Sequence, residues 1–239
     1  MGMVIITTAI MNIIQTKPND LIPRWWIAAV IFLISALGVV PFAARITTLG
    51  DETLRDKILK GEELSEEQLA DFVKGRESIV TSFPTSVFYN DLAKVALDRS
   101  RTQPEKMATY LEKAAHWQRQ ALMISPSDPY AWLNLASIYN SVQGGQEIAA
   151  KAWLQSYITA PYEPRLLLTR LKMARQLEAE IGEAAPALIM QLIRQQWEYN
   201  PWHLTRAARD DGFLKLAKEA LKEDKAALKR FDKILKEQL

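Results

Sequence analysis

The sequence predicts an all-α protein with one N-terminal transmembrane helix, a solenoid of helical hairpins after it, and a helical C-terminal cap. Three observations lead there. An uncharged apolar run from Trp25 to Ala44 is bounded by Arg24 and Arg45. Downstream, apolar residues recur at helical spacing between Pro, Gly and Ser punctuation, and nothing alternates as a strand would. A proline-bracketed motif also returns after 35 residues.

Composition narrows the function classes. Among 239 residues, 30 Lys and Arg stand against 28 Asp and Glu, a net charge of +2. That balance offers no basic field for tracking phosphates, so no nucleic-acid partner is expected. Cysteine is absent, which removes disulfides, thiol catalysis and thiolate metal sites. With His116 and His203 the only histidines, a multi-histidine centre is unavailable, and neither metal nor cofactor is expected. The phosphate-binding, dinucleotide, nucleophile-elbow and zinc-protease motifs are all missing. The adjacent carboxylates Glu66-Glu67 and Asp210-Asp211 would not face one another on a helix. No catalytic residue is predicted, and the chain reads as non-enzymatic.

The elements follow in order. Residues 1–24 form a leader whose apolar part, Met1–Ile14, is too short to span a bilayer. Residues 25–45 read as the transmembrane helix, about 30 Å long, with Trp25 and Trp26 at headgroup depth and Pro41 in the last turn. A cleaved signal ending near Ala36-Leu37-Gly38 and a buried core helix are the alternatives. Lys17 and Arg24 precede the segment, while Arg45, Arg55, Lys57 and Lys60 follow it. The positive-inside rule therefore favours a cytoplasmic C-terminal part, although large folded domains translocate largely regardless of charge.

Residues 46–81 read as a helical stalk. Ser65-Glu66-Glu67-Gln68 is a capping-box pattern, and Leu69, Phe72, Val73 and Val80 lie on one face. The repeat region, 82–201, opens with a helix carrying Phe88, Leu92 and Val95, broken by a polar loop from Arg99 to Glu105. Helices are predicted over Pro104–Ile124, Pro129–Val142, Gln146–Ile158, Pro164–Ala179 and Glu183–Glu198. Residues 202–239 form the cap, two or three amphipathic helices with Phe213, Leu214, Leu216, Ala217, Leu221, Leu228, Phe231 and Leu235 inward. Ten Lys or Arg against seven Asp or Glu between Arg206 and Glu237 make it mildly basic. Closing the stack is its structural role, and docking on anionic lipid is the alternative.

Self-similarity identifies the repeat. Ser125-Pro126-Ser127-Asp128-Pro129 returns as Ala160-Pro161-Tyr162-Glu163-Pro164; at the same offset Ala114 matches Ala149 and Ala121 matches Ser156. The intervening unit, Trp132-x-x-Leu135-Ala136-x-x-Tyr139, then Ala149-x-x-x-Trp153 and Pro161, resembles a tetratricopeptide repeat with one extra residue in the Gln143–Gln146 turn. Small Ala136 and Ala149 allow close helix approach, and Trp132, Tyr139 and Trp153 read as core around it. The neighbouring units are looser: Thr169 and Arg170 stand where a larger apolar and a small residue belong. Such repeats expose a groove lined by their first helices. Tyr130, Asn134 and Ser137 line it in the best-matched unit, Arg165, Thr169 and Lys172 in the next, and Asn90 and Lys94 in the previous one. Their chemistry suits an acidic or C-terminal peptide.

The whole layout resembles the small single-pass TPR-like proteins of the VpsP type. Asp128-Pro129-Tyr130-Ala131-Trp132, Ala160-Pro161-Tyr162-Glu163-Pro164-Arg165-Leu166 and Ala227-Leu228-Lys229-Arg230-Phe231-Asp232 carry the resemblance. It implies an accessory or scaffolding role in exopolysaccharide or O-antigen assembly, with membrane proteins of that complex as partners. It further implies a bacterial inner-membrane location, single-pass, with an exported, periplasmic domain. A TPR adaptor of another envelope system, for cytochrome maturation or secretion, and an enzyme of lipid-linked sugar metabolism are the alternatives.

Overall fold

The computed structural model describes residues 64–238 without interruption, together with 52–58, 60, 62 and the isolated positions 26, 30 and 32. Leu54–Leu239 forms one compact unit, distinct from Met1–Thr53. In the latter, Trp26, Val30 and Phe32 are helical and exposed; the remainder of the expected transmembrane helix lies outside the described residues. Among the described residues, no helix is long and apolar enough to cross a membrane.

The larger unit is all helix. Residues 54–58 lead to α1 (Glu66–Ser82), which opens with the predicted capping box: the Gln68 amide donates to Ser65 Oγ at 3.2 Å, and the Ser65 amide donates to Gln68 Oε1 at 3.1 Å. Phe72 is buried against Ile58 and Val95 of α2 (Ser86–Thr102), so α1 packs onto the hairpin stack. The polar loop expected over Arg99–Glu105 shrinks to Gln103. α2 continues to Thr102, Arg99 and Gln103 both reach Glu66 on α1 (3.1 and 3.3 Å), and Pro104–Lys106 forms a 3-10 turn.

Three hairpins follow, α2 with α3 (Met107–Ile124), α4 (Pro129–Asn140) with α5 (Gln146–Thr159), and α6 (Leu167–Gln176) with α8 (Ala185–Tyr199). The third is interrupted by a short turn of helix, α7 (Glu178–Ile181), and a 3-10 turn at Gly182–Ala184. Each hairpin packs its second helix on the next one's first, α3 on α4 and α5 on α6. The best-matched unit follows its pattern: Ala136, Ala149 and Trp153 are fully buried, and Leu135 is buried. Trp132, expected in the core, is half-buried instead, since its indole N–H turns outward to the Pro126 carbonyl at 2.8 Å. The α4–α5 turn needs two glycines for separate reasons. Gly144 adopts φ +76°, the left-handed region glycine favours, and a Cβ on Gly145 would collide with the Tyr139 carbonyl.

The cap comprises α9 (Pro201–Asp210), α10 (Leu214–Leu221) and α11 (Lys225–Glu237). Leu204, Ala208, Phe213, Ala217 and Phe231 extend the core laid down by Trp153, Leu171 and Leu192. One cap rule recurs along the chain. Asp128 accepts from the Tyr130 and Ala131 amides before Pro129, and Asn200 accepts from the His203 amide before Pro201. A proline at the first helical position removes a donor that would otherwise go unpaired.

Candidate partner-binding groove

The first helices meet through side chains about one repeat apart in sequence. The Asn90 amide group donates to Asp128 at 3.4 Å, the Tyr130 hydroxyl to Glu163 at 2.8 Å, and the Asn140 amide group to Gln176 at 3.0 Å; Arg175 reaches the Asp211 carbonyl at 3.4 Å. These partners are 38, 33, 36 and 36 residues apart. Tyr130–Glu163 joins the start of α4 to the turn before α6, and Asn140–Gln176 joins the ends of the two helices, so they run in the same direction. The period read from the proline motifs is thus a physical repeat, and it continues into the α9–α10 loop.

The eight sequence-derived groove residues divide into three kinds. Asn90 is a connector: it also accepts from the buried Gln118 amide at 2.7 Å, tying α2, α3 and α4 together. Lys94 is held by Asp98 one turn on, at 2.8 Å, and Lys172 by Asp211 at 2.9 Å. Tyr130, Asn134, Arg165 and Thr169 are exposed, and Ser137 is half-buried beside them. Arg165 lies in the turn before α6 rather than on the expected Pro164–Ala179 helix, because Pro164 and Glu163 form a turn whose carbonyls receive the Leu166 and Leu167 amides.

Glu163 is the residue that sequence reasoning missed. It accepts from the Tyr130 hydroxyl and from the Arg165 amide, at 2.8 and 3.4 Å, and so joins two predicted positions. Burial, then the bond to Glu163, pushes the Tyr130 phenol above its ordinary range. The signal that could have found it is its place one period after Asp128. At the far end, Lys172, Arg175, Gln176 and Asp211 line a depression of about 290 Å³, with the Arg175 guanidinium 4.5 Å from the Phe213 ring centre.

Beneath this face lies a buried cation. Arg170, fully buried, donates to Ser156 Oγ at 3.1 and 2.9 Å, to the Ala160 carbonyl at 2.7 Å and to the Ser156 carbonyl. Besides the hydroxyl, the acceptors are carbonyls at the α5 C-terminus, which also receive the Thr159 hydroxyl and the Glu163 amide, and there the helix dipole favours positive charge. Burial pulls the guanidinium below its ordinary value, and the nearby Glu163 carboxylate opposes that fall. Two departures from the repeat pattern are therefore one interaction. Ser156 replaces the alanine seen at Ala121, and Arg170 replaces a small residue; Ser156 also donates to the Pro129 carbonyl at 2.7 Å. His116, by contrast, is exposed at the edge of Trp117, whose ring stacks on Tyr89. Among the described residues, no group of three or more metal-binding side chains converges.

The fold and this face define a stack of helical hairpins with an open first-helix surface. No known family model and no curated protein matches the chain. The chain is similar to the crystal structure of MamA, with 12% identity and a TM-score of 0.41 over 76% of this chain and 95% of that one.

Proposed function

We propose that this protein is a non-catalytic scaffold that recruits protein partners through the first-helix face of its hairpin stack. The observation that supports it is the row of exposed Tyr130, Asn134, Arg165 and Thr169 on consecutive repeats, carried by α4, α6 and the turn before α6, which the one-repeat bonds join. A row of donors and hydroxyls at the helix repeat suits an extended acidic or C-terminal peptide. Arg165 is the cation open to such a ligand, while Lys172 would be released from Asp211 on binding. The finer reading is a membrane-anchored accessory of exopolysaccharide or O-antigen assembly, held by residues 25–45 in the bacterial inner membrane with its domain on the periplasmic side. It rests on the sequence resemblance.

Mild-detergent affinity purification of the full chain from its native membrane, with mass spectrometry of what accompanies it, tests both levels. Recovery of a polysaccharide polymerase, ligase or chain-length regulator supports the pathway. Recovery of cytochrome-assembly or secretion components refutes the pathway and leaves the scaffold. Arg165→Glu with Lys172→Glu should abolish partner recovery at unchanged helicity; unchanged recovery refutes the groove.

A further inference from the structure

The outermost helix of the cap carries a charge pattern that its packing does not require. Along α11, at 3.6 residues per turn, Lys225, Lys229, Lys233 and Lys236 fall within about 80° of arc and run about 16 Å along the axis. All four are exposed. The opposite arc holds Ala227, Phe231 and Ile234, which are buried, so the lysine row points directly away from the body. Like charges one turn apart oppose helix formation, and any neutral polar residue would serve a merely solvated face.

The carboxylates of this helix leave the row in surplus. Asp232, at its edge, is taken by Lys218 of α10 at 2.7 Å, and Glu237 meets Lys233 at 3.7 Å. Arg230 adds a fifth exposed cation, drawn over the Trp197 ring at 5.9 Å. The lysine stems and Leu228 line a shallow depression of about 760 Å³.

We propose that α11 is a docking surface for anionic phospholipid headgroups. The depression is shallow and lies along a single convex helix, so it holds no peptide or polynucleotide in one register, whereas headgroups diffuse laterally until they match the row of cations. The aliphatic stems and Leu228 suit the interfacial zone, with the ammonium groups at headgroup level. Each lysine near such a surface strengthens attachment about fivefold, and salt screens the effect.

The test is lysine-acetylation footprinting of the full chain with vesicles. One set contains about one-third phosphatidylglycerol, and the reference set is phosphatidylcholine alone, so that association through any other segment is common to both. At low salt, the anionic vesicles should slow modification of Lys225, Lys229, Lys233 and Lys236 several-fold, with Lys113 and Lys151 unchanged. About 0.5 M salt should restore the rates. In Lys229→Glu/Lys233→Glu/Lys236→Glu, whose changes face away from the core, the protection of Lys225 should vanish while circular dichroism stays unaltered. Equal rates in both vesicle types overturn the proposal. So does protection by polyglutamate with none from anionic vesicles, which would assign the row to an acidic polypeptide.

Discussion

Replacing Arg170 separates two ways of filling a repeat junction. Arg170→Ala removes the guanidinium from the Ser156 hydroxyl and from the Ser156 and Ala160 carbonyls, and leaves a void where a fully buried side chain stood. Hydrogen bonds to a charged group contribute about 1.5–3 kcal/mol each but do not add in full, and a void adds its own cost. We expect a loss of about 3–5 kcal/mol, the range of large buried truncations. In a domain of this size that lowers the thermal midpoint by about 10 °C. Arg170→Met fills the void and isolates the polar part. Buried ion pairs often tolerate apolar replacement, but here two of the acceptors are backbone carbonyls that no substitution removes. About 1–3 kcal/mol should therefore persist. Urea unfolding followed by circular dichroism measures both variants. A double-mutant cycle with Ser156→Ala should show coupling of about 1 kcal/mol. If Arg170→Met unfolds within about 0.5 kcal/mol of the wild type, or if the cycle is additive, the capping account fails.

Other consequences can be checked in the same way. Asp128→Ala should cost about 1 kcal/mol, because the α4 N-terminus loses its cap and Asn90 loses a partner; urea midpoints report it. Phe231→Ala should cost about 3–5 kcal/mol and make the segment after Pro201 the first site of limited proteolysis. Gly145→Ala should destabilise more than Gly144→Ala, whose left-handed backbone costs about 1 kcal/mol, because only the former meets the Tyr139 carbonyl. The phenols of Tyr130 and Tyr157 are both raised, chiefly by burial. Their contribution to stability is therefore present below about pH 10, the ordinary tyrosine value, and is lost as pH rises through the elevated ones. Tyrosinate absorbance should show a late-ionising fraction that shrinks in Tyr130→Phe; an unchanged titration would refute the Tyr130 assignment.

The legible parts of the fold were those carried by local motifs, by small residues at close approaches and by the spacing of the repeat. Asp128 before Pro129 states a helix start, Ser65 with Gln68 states another, and Ala136 with Ala149 states where two helices come close. Lys94 with Asp98 could equally have been read as an i, i+4 pair. The period itself was visible in the prolines. What could not be read was the polar partnerships between elements. Arg170 looked like a flaw in the pattern, because its acceptors lie on the preceding helix and become acceptors only when α5 ends at Thr159. Glu163 looked like a turn residue until Tyr130 reached it. The contact of Arg99 with Glu66, 33 residues earlier, was equally illegible. In the candidate groove, the exposure of Tyr130, Asn134 and Thr169 follows from helical phase, whereas the neutralisation of Lys172 depends on a loop from the cap.

The buried arginine also bears on how the stack yields to load. Between the first and second hairpins the directional bonds run singly between side chains, Asn90 to Asp128 and Arg119 to the Tyr139 hydroxyl, and a lone side-chain bond can turn as its two helices shift. At the α5–α6 junction the guanidinium grips fixed carbonyl directions, and shear would break several bonds together. Bending strain imposed on the domain, by a peptide drawn along its face or by tension between its ends, would therefore meet less resistance at the α3–α4 junction than at α5–α6. The third hairpin and the cap would then move with α4 and α5 as one stiff lever.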